Sequence, residues 1–73
     1  MNTKFVMYTN SKSEPLDLTL HKVYKVIPDE KADRHGWIRV IDDSGEDYLY
    51  PASSFVAVQI PLEAEQGFDL QVA

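Results

Sequence analysis

The sequence predicts a small all-β domain, a five-stranded antiparallel barrel followed by an acidic tail without regular structure. Three observations lead there. Short β-prone apolar runs recur at close spacing, polar clusters rich in Gly, Pro, Asp and Ser separate them, and no segment carries the apolar period of a long helix. With 73 residues the chain supports one domain. A chain of this size buries only about 60% of the surface its unfolded form exposes, so its core is thin. It contains no cysteine, which excludes a disulfide and a thiolate-bound metal and leaves packing to hold the fold.

The first strand is predicted at Lys4-Phe5-Val6-Met7-Tyr8, running into the polar loop Thr9 to Pro15. Leu16, Leu18 and Leu20 alternate with Asp17 and Thr19 and lead into Val23-Tyr24-Lys25-Val26-Ile27. This pattern predicts one long second strand, bent near His21-Lys22 and ending at Pro28. Pro28 to Gly36 is mostly charged and bounded by Pro and Gly, and reads as an exposed loop. Trp37 to Asp42 and Asp47 to Tyr50 form strands three and four, joined by a short connection whose Gly45 suits a left-handed position. Pro51 has no N–H for a ladder, so one tight turn over Pro51 to Ser54 precedes a last strand at Phe55 to Val58. The barrel thus occupies 1–61. Residues 62–73 hold three acids, one Gly and no clear period, and are expected to be disordered and dispensable for folding.

Several of these pieces, in this order, point to a family. Phe5-Val6-Met7-Tyr8 before a polar loop, Leu18-Thr19-Leu20 before an apolar strand, Gly36-Trp37 opening the next, a Gly-bearing hairpin and Tyr50-Pro51-Ala52-Ser53-Ser54-Phe55 together resemble SH3 and bacterial SH3-like domains over residues 4–58. The resemblance implies an SH3-like barrel that binds other proteins, with Trp37 in the ligand groove. Two departures argue against Pro-rich ligands. The pattern asks for Tyr three residues after Pro51 but Ser54 stands there, and Glu14 and Asp17 alone represent the acidic loop that recognises arginine.

Alternation places Trp37, Arg39 and Ile41 on one face of the third strand and Ile38 and Val40 on the other. Trp37 is either a contact residue or the cover over one end of the barrel. The contact surface expected on these grounds comprises Val6 and Tyr8 of the first strand with Trp37 and Arg39. Tyr8, Tyr24, Tyr48 and Tyr50 read as partly buried rings with hydroxyls at the surface, since base-stacking platforms normally sit in a cationic groove. The hairpin Asp42-Asp43-Ser44-Gly45-Glu46-Asp47 lacks the Gly and Glu spacing of a calcium loop and reads as a solvated turn. His21 and His35 have no third ligand at zinc-like spacing. Ser53 and Ser54 lack a nucleophile elbow, and three scattered glycines make no phosphate loop, so no catalysis and no cofactor are expected.

Seven basic against twelve acidic residues give a net charge of −5. Nucleic-acid binding draws its energy from cations that displace counterions, so direct nucleic-acid contact is not expected and a basic protein partner is. Over half of the excess lies in the tail, which carries Glu63, Glu65 and Asp69 with no basic residue. Residues 18–26 and 42–51 also look like the small barrel proteins of bacteriophages and their hosts. In length and acidity the chain is similar to a phage-encoded regulator that binds host bacterial RNA polymerase, blocks initiation and suppresses termination. That resemblance implies RNA polymerase as partner and the host cytoplasm as location. Alternatives are a bacterial SH3-like adaptor and a nucleic-acid-associated barrel. A monomer is expected, with no membrane span.

Overall fold

The computed structural model describes residues 4–10, 12 and 15–72, with side chains described as far as Gly67. Five antiparallel strands form one sheet: β1 (Phe5–Tyr8), β2 (Val23–Ile27), β3 (Trp37–Ile41), β4 (Asp47–Pro51) and β5 (Phe55–Val58). Their order is β4-β3-β2-β1-β5. The chain therefore meanders outward through four strands, then returns through the 3-10 turn Ala52–Ser54 to lay β5 beside β1. Two helices complete it, α1 (Glu30–Arg34) and α2 (Leu62–Val72). Among the described residues no helix is long and apolar enough to cross a membrane.

The core lies on one face of the sheet, which curls around it. Val6 faces Tyr24 and Ala57 across its two ladders, and Val26 faces Val40. Val40 is completely buried, and Val6, Tyr8, Leu18, Tyr24 and Phe55 close around it, with Val26, Ile38 and Tyr50 partly buried against them. The curl is visible in the rings. Tyr50 and Phe55 lie on the two outermost strands, yet their centroids are 6.2 Å apart at 64°, and Tyr8 adds a tilted contact at 5.5 Å.

The predicted faces of β3 hold, since Val40 and Ile38 point inward while Trp37 and Arg39 point outward. The faces of β1 do not follow the expectation. Val6 and Tyr8, expected at an exposed contact surface, are 4% and 2% exposed. The reason is topological: β1 is paired on both sides, and these two residues stand on its core face.

The long second strand is also corrected. Residues 16–22 form turns, and β2 begins only at Val23. A turn closed by Lys22 N–H donating to the Thr19 carbonyl (3.1 Å) holds His21 at φ +66°, a left-handed conformation that breaks the strand. Of the three alternating leucines only Leu18 reaches the core, while Leu16 is 96% exposed. In the charged loop, Asp29 caps α1 by accepting from the Ala32 N–H at 3.0 Å, and Ala32 is buried. Residues 62–72, expected without regular structure, form α2. Leu62, Glu63, Ala64, Glu65 and Gln66 are strong helix formers with the acids in the first turn, so local propensity supplies what periodicity lacks.

Candidate functional site

Two neighbouring surfaces are built around β3. The first is the outer face of the β3–β4 hairpin. Gly36, at φ +76°, turns the chain out of α1, a conformation that favours glycine, and delivers Trp37 to the sheet margin with 43% of its surface exposed. Trp37 lies opposite Pro51, and Arg39 opposite Leu49, which is itself 44% exposed. Arg39 is held in place: its Nε donates to Asp29 Oδ2 and its Nη1 to Asp47 Oδ2, each at 3.0 Å. These two carboxylates raise the guanidinium further above its ordinary range. Asp29 is held below the usual carboxylate range, chiefly by the Ala32 N–H and then by Arg39. One carboxylate thus caps α1 and ties it to β3.

The second surface is a cavity of about 240 Å³ that opens between β5 on one side and α1 with the start of β3 on the other. Val6, Val26, Ile38 and Phe55 line it with apolar side chains, together with Trp37 of β3 and Ala57 of β5. Among the described residues Asp29 and Asp33 are its only charged lining residues. Asp33 makes no side-chain hydrogen bond or ion pair among the described residues, whereas Asp29 is occupied by Arg39. The opening presents apolar area beside negative charge, an arrangement that accepts an apolar side chain next to a cation.

The acidic hairpin has a different task. Asp43 accepts from Lys22 Nζ (2.6 Å), Thr19 Oγ1 (2.7 Å) and the Tyr24 hydroxyl (3.0 Å), and its N–H donates to the Asp17 carbonyl at 2.8 Å. It therefore clamps the 15–22 loop to the end of β3. Asp42 is buried at 5% exposure and accepts from the Tyr50 hydroxyl (2.7 Å), the Ser44 N–H (2.9 Å) and the Ser44 hydroxyl. Burial first, then Asp42, pushes the Tyr50 phenol far above its ordinary range. Among the described residues no group of three His, Cys, Asp or Glu is placed to hold a metal ion. Ser54 is buried, and its Oγ accepts from Asn10 Nδ2 at 3.2 Å, anchoring the first loop to the turn before β5.

Of the four expected contact residues, Trp37 and Arg39 share the exposed outer face, Trp37 and the buried Val6 line the cavity, and Tyr8 is in the core. Asp29, Asp33 and Ala57 were not anticipated. The stretch Pro28-Asp29-Glu30-Lys31-Ala32 carries the signal for the first two, an Asp N-cap before helix formers. No local signal marks Ala57, which gains its position through the pairing of β5 with β1. Comparison with known proteins finds no matching family model, curated protein or solved structure.

Proposed function

We propose that this chain is a non-enzymatic protein-binding module, an SH3-like barrel that binds bacterial RNA polymerase, inhibits initiation and suppresses termination. The observation that carries the binding reading is the open apolar cavity lined by Trp37, with Asp29 and Asp33 also in its lining. A thin-cored chain that leaves apolar surface open next to unneutralised carboxylate fits a partner segment that is apolar and basic. The order β4-β3-β2-β1-β5, with a 3-10 turn before the last strand, supports the SH3-like reading. The polymerase reading is supported by the similarity in length and acidity to the phage regulator. The net charge of −5 adds to it, because the same field that repels duplex DNA steers the chain toward basic patches around a nucleic-acid channel.

The test is a titration of labelled protein against purified core polymerase and, separately, against duplex DNA at physiological salt, with promoter-initiated and terminator-containing templates as the functional readout. Micromolar or tighter binding to polymerase, none to DNA, fewer initiated transcripts and more read-through are expected. Trp37→Ala is expected to weaken polymerase binding by about tenfold or more, as a central aromatic contact does. Binding to DNA alone, or no binding to polymerase at tens of micromolar, overturns the polymerase assignment.

A further inference from the structure

We infer that the free edge of β5 is a strand-addition site, at which an extended, basic segment of a partner protein pairs with Ala57 and places one aliphatic side chain in the neighbouring cavity. This rests on the protein-binding reading above and specifies how the partner is held.

Hydrogen-bond phase gives the first reason. The Thr9 N–H donates to the Ser54 carbonyl at 3.0 Å, and the register continues through Tyr8–Phe55, Met7–Val56, Val6–Ala57 and Phe5–Val58. Bonded pairs alternate in an antiparallel ladder, so Val56 and Val58 exchange bonds with β1 while the N–H and C=O of Ala57 point the other way. β5 ends the sheet, and no described strand covers that side. The Phe55 N–H is already taken by the Ala52 carbonyl, which leaves Ala57 as the centre of the open edge.

The other edge is blocked at one end. In the β3–β4 ladder the Asp42 N–H donates to the Glu46 carbonyl at 3.0 Å, and the same alternation turns Asp47, Leu49 and the nitrogen of Pro51 outward. A proline at an outward position withholds the donor that an added strand needs, and β5 has no such residue.

The cavity supplies the second reason. Ala57 lines it from β5, so a strand paired beyond Ala57 carries its core-facing side chain toward the cavity that Ala57 and Trp37 both line. About 240 Å³ accommodates one branched aliphatic side chain. Charge selects the next residue on the same face, two positions along, because among the described residues the lining holds Asp29 and Asp33 and no cation, and Asp33 is unpaired. A lysine or arginine there meets that carboxylate.

The experiment is a nitrogen-15 NMR titration of the full chain with a blocked pentapeptide carrying valine at its second and arginine at its fourth position among threonines, and with the counterpart in which glutamate replaces the arginine. Saturable shifts centred on Ala57 and the Trp37 indole, slower amide exchange at Ala57, and at least about tenfold weaker binding of the acidic peptide are expected. Ala57→Leu fills the cavity without touching the β1 ladder, and it should weaken the basic peptide by about tenfold or more while Tm is kept or raised. Ala57→Pro, which deletes the outward N–H, should abolish binding in a folded chain. Absence of saturation, equal affinity for both peptides, or shifts on β4 or the Trp37–Arg39 face without Ala57 overturns the proposal. So do Ala57 shifts that grow with protein concentration alone, which would assign the edge to a second copy. Peptide failure with polymerase binding intact rejects strand addition only, and the reverse result rejects only the polymerase assignment.

Discussion

Arg39 and Val40 are neighbours on β3 that point to opposite faces of the sheet, one outward and one into the core, and substituting each in turn separates packing from charge. Val40 is fully buried among Val6, Tyr8, Tyr24 and Phe55, so Val40→Ala removes two methyl groups and leaves a cavity that a thin core closes poorly. A cost of about 1–3 kcal/mol in urea unfolding is expected. Arg39→Ala breaks two ion pairs at 3.0 Å, but the partners lie at the surface, where screening and side-chain entropy erode the gain. Its loss should be the smaller of the two and should shrink further in 1 M salt, by about the extent that screening predicts. If Arg39→Ala proves more destabilising than Val40→Ala, the tie between α1 and β3 through Asp29 outweighs the core. Tyr50→Phe is intermediate, since it removes one donor from the buried Asp42 carboxylate while both Ser44 donors remain. About 1–2 kcal/mol is expected from that loss.

Elements differ in how openly the chain announces them. β3, β4 and their hairpin were legible because apolar and polar residues alternate and Gly45, at φ +83°, marks the connection. β1 was legible as a strand but not in its orientation. Phe5, Val6, Met7 and Tyr8 are all apolar, so nothing local distinguishes the core face from the other. The leucine alternation before β2 misled because three residues of matching period are also what a turn produces by chance, and only Leu18 found a place inside. Neither helix shows an apolar stripe, as α1 is one capped turn and α2 is favoured by composition. At the cavity, Trp37 could be singled out from sequence whereas Ala57 could not, because pairing rather than residue type gives Ala57 its role.

α2 carries an element-scale prediction. Phe5 is 2% exposed although it points away from the core cluster, and Ile60 and Glu65 line the cleft beside it. Lys4 Nζ meets Glu65 Oε1 at 3.4 Å across the same cleft. Truncation after Pro61 is therefore expected to lower Tm by about 3–6 °C, the response of a domain this small to a loss below 1 kcal/mol. Lys4→Ala, which breaks only the exposed ion pair, should leave Tm within about 1 °C of the full chain. An unchanged Tm on truncation would make the tail dispensable for folding.

At the scale of the whole molecule, a chain with twelve acids and seven bases depends on where its carboxylates are engaged. Asp43 is the decisive one, since it joins the 15–22 loop to the β3–β4 hairpin through three donors. Burial alone would raise its affinity for a proton. The bonds from Lys22, Thr19 and Tyr24 outweigh that and hold the carboxyl below the usual carboxylate range. The unfolded chain takes up this proton at about pH 3.9, the folded chain only at lower pH, so between the two values the unfolded state binds more protons. Stability is therefore fully present above about pH 4 and is lost as pH falls through the folded value. Lys22 mirrors this at the other end. Its hydrogen bond to Asp43 raises its pKa above 10.5, so its contribution persists through neutral pH and is lost as pH rises through the raised value. Asp43→Asn removes both arms of the linkage. Thermal unfolding of the variant and the parent from pH 2 to pH 8 should give curves that separate above about pH 4 and converge below it. Parallel curves across that range would show that the clamp acts through its shape and not through its charge.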